Sequence, residues 1–152
     1  MSLYSVYSIG KPSQESVPEN EIRPKYLSIR NRTFWGVTVA YSLYYVCRMS
    51  LSVVKQPLID EGVLTAGQLG VIGSALLFVY AVGKFMNGFI ADYCNIRRFM
   101  FTGLAISAGI NLLMGILGIV DSMVALPLSV IFILFTLLWG VNGWMQSMGS
   151  PP

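Results

Sequence analysis

Tyr41-Ser-Leu-Tyr-Tyr-Val-Cys-Arg48 decides how this chain is read. It lies inside the first long apolar stretch and puts a fixed positive charge deep within it. Tyr41 and Tyr45 precede Arg48 by seven and three residues, and Ser52 follows by four. On an α-helix these four side chains share one face. Arg48 stands about 15 residues into that stretch, roughly 20 Å along a helix axis. A guanidinium at that depth in hydrocarbon is costly, and by default it marks a substrate or ion path. The structural alternative is that Arg48 snorkels toward the end near Pro57, or pairs with a neighbouring helix.

The rest of the chain supports a membrane reading. Of 152 residues, 55% are hydrophobic and 11% charged, against about 25% charged in soluble domains. Mean hydropathy is +0.65. Apolar stretches long enough to cross a core of ~30 Å occur at about 33–59, 66–91, 99–120 and 123–148. The expected fold class is an all-α, multi-pass membrane protein with four transmembrane helices. Pro57 and Asp60-Glu61-Gly62 close the first stretch, and Thr65 is placed to cap the second. Asp121-Ser122 reads as a minimal turn before the fourth. Residues 1–32 hold three prolines and eight charges and read as a polar N-terminal tail, with a short helix near Ile22–Arg30. No apolar run follows the start, so this tail is not a cleaved signal peptide.

Lys and Arg sort by side. Lys11, Arg23, Lys25, Arg30 and Arg32 precede the first stretch, and Arg97 and Arg98 lie between the second and third. With four crossings these segments face the same compartment. The opposite side offers only Lys55. The positive-inside rule then puts the N-terminus in the cytoplasm, with the protein in the inner or plasma membrane. The net charge of +3 is thus topological, and no nucleic-acid partner is expected. There is no His, and Cys47 and Cys94 are expected at different depths, so neither a disulfide, a metal site nor a cofactor is expected. No nucleophile elbow, phosphate loop or dinucleotide fingerprint is present, and the chain does not read as an enzyme.

Lys84 is the second cation within an apolar stretch. Tyr80, Asn87 and Gly88 share its face. Its alternatives are a cavity role and snorkelling to the near interface. No acid stands at matching depth in any of the four stretches. Two intramembrane cations without a counter-charge make an anionic ligand the economical partner. Arg suits phosphate, because its planar fork gives two parallel charge-assisted hydrogen bonds. Asn142 and Gln146 are one turn apart in the fourth stretch. They either bond neighbouring helices or line a cavity.

Four patterns resemble the major facilitator superfamily, and within it the organophosphate:phosphate antiporters. They are Tyr41-x-x-Tyr44-Tyr45-x-x-Arg48, Tyr80-x-x-x-Lys84-Phe85, Gly88-x-x-x-Asp92-x-x-Asn95-x-Arg97, and Asn142-Gly-x-x-Gln146-x-x-Gly149-x-Pro151-Pro152. The resemblance covers about residues 30–152. It implies four helices of an incomplete six-helix N-terminal half, with Arg48 as one of two phosphate-binding arginines. It further implies that Tyr41, Tyr45, Lys84 and Gln146 line the substrate cavity. The loop Gly88, Asp92, Asn95, Arg97 and Arg98 corresponds to the superfamily's gating loop, although Tyr93 stands where a basic residue is usual. The implied activity is exchange of an organic phosphate for inorganic phosphate by alternating access between two halves. The implied partners are those two ligands, the lipid bilayer and the missing C-terminal part. One alternative is a hexose-phosphate sensor without net transport, toward which Glu61-Gly-Val-Leu64 and Gly149-Ser-Pro151 lean. The other is a non-transporting four-helix remnant.

Overall fold

The computed structural model describes residues 7–8, 17–124 and 126–149. Within them four helices follow one another: α1 (Glu19–Asp60), α2 (Ala66–Ala91), α3 (Ile96–Val124) and α4 (Leu128–Ser147). Each is long and apolar enough to cross a membrane. The outer faces are oily: Phe78, Phe85, Phe101 and Leu112 are all 70% or more exposed. A soluble protein does not present contiguous apolar surface of this kind. Lysine 11 and the Pro151-Pro152 ending lie outside the described residues.

The short helix expected near Ile22–Arg30 is there, but it is part of a longer one. Residues 19–32 are helix, continuous with the Arg48 stretch, so α1 runs for 42 residues. At 1.5 Å per residue this is about 63 Å, roughly twice the hydrocarbon thickness. Glu19 and Glu21 occupy its first turn, where the helix dipole favours acids. Pro24 is tolerated because the one hydrogen bond it forfeits lies near a solvated end.

The other end of α1 is closed by a Schellman motif. Gly62 takes φ +71°, which favours glycine. Its N–H donates to the Ile59 carbonyl at 3.0 Å, and that of Val63 to Leu58 at 3.1 Å. Leu58 and Val63 both pack on the core beneath. Thr65 then starts α2 with a capping box: its hydroxyl accepts the Gln68 N–H at 3.3 Å, and the Gln68 side chain accepts the Thr65 N–H at 2.9 Å. Asp121-Ser122 is corrected from turn to helix, because α3 continues through it to Val124. The Asp121 carboxylate accepts the Leu126 N–H at 3.0 Å, and Pro127 caps α4.

Helix α4 is the hub. It packs most extensively on α2, then on α3, while α1 joins chiefly through α3. The core runs through Leu51, Leu69, Ile72, Leu76, Ile110, Phe135 and Trp139. Gly143 brings the α4 backbone against that of α2, and any Cβ there would run into the Leu76 carbonyl. Small residues at such crossings let membrane helices approach closely. The α1–α3 contact has a different key. Tyr44 is buried to 2% exposure, and its hydroxyl donates to the Met100 carbonyl at 2.7 Å. Gly103 and Gly149 leave room for its hydroxyl and ring.

Two expectations follow. Gly143→Leu forces α2 and α4 apart and costs at least about 2 kcal/mol, as overpacking does. Gly36→Ala, where nothing lies within 4 Å of an added Cβ, is neutral or better. Unfolding of the purified chain in mixed micelles checks the pair. Tyr44→Phe keeps the ring and removes one hydrogen bond, and is expected to cost about 1 kcal/mol in the same assay.

Candidate functional site

Arg48 is half-buried on α1. Its guanidinium carbon lies 4.9 Å from the centroid of the Tyr80 ring on α2. This is cation–π geometry, worth about 2 kcal/mol or more when desolvated. Tyr41 and Tyr45 stand beside it with their rings edge to face at 5.1 Å. The two are exposed to 42% and 44%. A notch unites Tyr41, Tyr44, Tyr45, Arg48, Tyr80 and Gln146. Its open volume is only about 10 Å³, so the side chains close on one another. Among the described residues no carboxylate forms an ion pair with Arg48.

Gln146 enters the notch from below and is itself 5% exposed. Its amide nitrogen donates to the Tyr44 carbonyl at 3.1 Å and to the Ser107 hydroxyl at 2.9 Å. In an α-helix the Tyr44 carbonyl is also the acceptor for the Arg48 N–H. Gln146 therefore holds the backbone of α1 one turn before the guanidinium. The Ser107 hydroxyl donates in turn to the Asn142 carboxamide oxygen at 2.6 Å. The Ser107 carbonyl accepts from Asn111 at 2.9 Å, and Asn111 in turn accepts from Ser50 of α1. This polar seam crosses α1, α3 and α4 through the apolar core. It leaves the Asn142 amide nitrogen buried without a partner among the described residues. A second polar contact, Asn87 to Ser147 at 2.6 Å, joins α2 to α4.

Of the residues chosen from sequence, the structure gathers Arg48, Tyr41, Tyr45 and Gln146. Lys84 stands one turn beyond Tyr80 on α2, is exposed, and does not line the notch. The loop residues form a separate group at the far end of α2. Gly88 is half-buried in the last turn, and Asp92 is the exposed C-cap. Asn95 starts α3 with its side chain accepting the Arg98 N–H at 3.4 Å. The Asn95 N–H donates to the Tyr7 carbonyl at 2.8 Å, and the Tyr7 hydroxyl meets Thr102 at 2.7 Å. Arg97 and Arg98 are exposed beside it. Sequence reasoning missed the Tyr80–Arg48 pairing. The only local signal was Tyr80 one turn before Lys84.

Chemically, the notch offers a permanent cation and phenolic donors in an apolar surround. At about 10 Å³ it has no room for an oxyanion unless these side chains part. It contains no pair suited to nucleophilic or acid–base chemistry, and no cluster of three metal-ligating side chains occurs among the described residues.

No family model matches the chain, and no solved structure matches it. Curated relatives do. A "Probable hexose phosphate transport protein" of Chlamydia pneumoniae is 34% identical over 142 residues, 93% of this chain and 29% of the relative. The "Glycerol-3-phosphate transporter" of Haemophilus influenzae is 33% identical over 141 residues, 93% of this chain and 28% of the relative. The "Membrane sensor protein UhpC" of Salmonella typhimurium is 28% identical over 133 residues, 88% of this chain and 27% of the relative. The chain thus spans under a third of the length of the curated relatives it matches. Over the part it spans, the chain is a homologue of these transporters and sensors, which represent the organophosphate:phosphate antiporter branch of the major facilitator superfamily.

Proposed function

We propose that this chain is the arginine-bearing part of a transporter that exchanges an organic phosphate for inorganic phosphate by alternating access. Sugar phosphates and glycerol 3-phosphate are the substrate class, in keeping with the printed names of the relatives. The observation that carries the reading is Arg48: a guanidinium well inside a membrane-length helix, stacked on Tyr80, with no carboxylate partner among the described residues. An incoming phosphate supplies the missing negative charge.

Each residue then has a role. Arg48 takes two phosphate oxygens through its fork. Tyr41 and Tyr45 donate from their hydroxyls. Lys84 adds a second positive charge farther along α2. Gln146 belongs to the site as a positioning group, since its amide is spent on the Tyr44 carbonyl and Ser107. Gly88, Asp92, Asn95, Arg97 and Arg98 form the loop that responds as the two halves rock. The remaining part of the transporter contributes the second arginine. The N-terminus is cytoplasmic and the membrane is the cell's inner or plasma membrane, a reading supported by the positions of Arg23, Lys25, Arg30, Arg32, Arg97 and Arg98.

A second reading, a phosphate-ester sensor that binds without net transport, is favoured by the likeness to UhpC. Both readings use Arg48 for binding.

In proteoliposomes of the complete polypeptide, Arg48→Lys is expected to cut labelled-phosphate exchange by about 100-fold, because an ammonium cannot replace a bidentate fork. Near-normal exchange in that variant would remove Arg48 from the site.

A further inference from the structure

Arg48 faces a second space besides the Tyr80 notch. A cavity of about 170 Å³ opens between α1 and α2, on the side toward the end of α1. Arg48, Ser52 and Lys55 line it from α1, Gly73 and Leu76 from α2, and Trp139 from α4. The three α1 residues stand at i, i+4 and i+7, so they form one stripe on one face. The two cations are about 10 Å apart along the axis. Arg48, at the deep end, is half-buried, and Lys55, at the mouth, is exposed. Leu76 and Trp139 are buried, so one wall is dry and apolar.

The charges around this mouth matter. Asp60 is one turn beyond Gln56, and its carboxylate accepts the Gln56 amide at 2.8 Å. Glu61 caps α1 and is exposed. Among the described residues neither acid forms an ion pair with Lys55. A stripe of like charge beside a low-dielectric wall focuses field lines into the cavity and raises the local concentration of anions. The volume far exceeds the ~30 Å³ share of one water. It has room for a phosphate group with part of its hydration shell.

We propose that Lys55 is an anion-capture residue, which draws phosphate in at the mouth between α1 and α2 and passes it by Ser52 to Arg48. The proposal rests on the reading of Arg48 as the phosphate site. Lysine suits the outer step because a hydrated point charge attracts an oxyanion without locking it in a fixed geometry. Arginine suits the inner step because its fork does lock it. A lipid headgroup offers the same phosphate chemistry at this depth, so the test must separate the two sources.

The experiment is labelled inorganic phosphate exchange by the complete polypeptide in oriented vesicles, with KM read separately from each face, at low and at moderate salt. Lys55→Gln is expected to raise KM about 10-fold from the face that carries Lys55 at low salt, and to leave KM from the other face alone. The salt dependence of that one KM should flatten. Lys55→Arg should restore it. A fold defect would lower the amount of active protein without making KM one-sided. An unchanged KM, or the same rise from both faces, for Lys55→Gln overturns the proposal while the Arg48 reading stands. A Lys55→Gln effect that follows lipid charge rather than phosphate concentration assigns Lys55 to a headgroup and also overturns it. A wild-type polypeptide that neither binds nor exchanges phosphate overturns the Arg48 reading itself.

Discussion

A guanidinium inside a membrane-length helix cannot be left to hydrocarbon, and much of this structure answers that constraint. Arg48 is half-buried on α1, and Tyr80 of α2 gives the cation a π surface. The backbone beneath it is held from α4 by Gln146, at the carbonyl that also serves the Arg48 amide. The same residue, Tyr44, reaches across with its hydroxyl to the Met100 carbonyl of α3. Three helices thus fix one turn of the fourth. The remainder of α1 is loosely engaged: Tyr44 and Leu51 are its buried residues.

The two kinds of helix contact differ in character. The α2–α4 crossing is tight and backbone-close at Gly143, where a bistable or sliding contact is hard to build. The α1 contacts add polar links, through Tyr44, Ser50 and the carbonyl that Gln146 holds, to the apolar packing of Leu51 and Leu58. Polar contacts of this kind exchange partners at lower cost than interdigitated packing does. The buried Asn142 amide nitrogen, unpartnered among the described residues, lies in the same seam. Such a group costs about 1–3 kcal/mol while it stays unsatisfied.

What the sequence disclosed follows from the range over which each signal acts. The shared face of Tyr41, Tyr45, Arg48 and Ser52 is a matter of helical period and was readable locally. So were the Thr65 cap and the α1 stop at Gly62, because caps are written within three or four residues. A helix was expected near Ile22–Arg30, but its start at Glu19 and its continuity with the Arg48 stretch were not readable from apolar patterning. Hydropathy reports what suits lipid, and a helix that continues into water needs only propensity and a favourable first turn. Asp121 looked like a turn residue, yet its side chain closes a helix by reaching Leu126. Gln146 and Tyr44 are 102 residues apart, and Tyr44 and Met100 are 56 apart. No local pattern announces such partners. Lys84 illustrates the same limit: its spacing from Tyr80 fixes a shared helix face, but the packing of α2 on α4 decides where that face points.

The central claim is exchange, and counterflow addresses it most directly. Vesicles carrying the complete polypeptide are loaded with inorganic phosphate or left without it, and entry of a labelled sugar phosphate is followed. Exchange gives rapid entry only into phosphate-loaded vesicles, with one phosphate leaving for each ester that enters. Saturable binding of the ester without entry, or entry indifferent to internal phosphate, would contradict it.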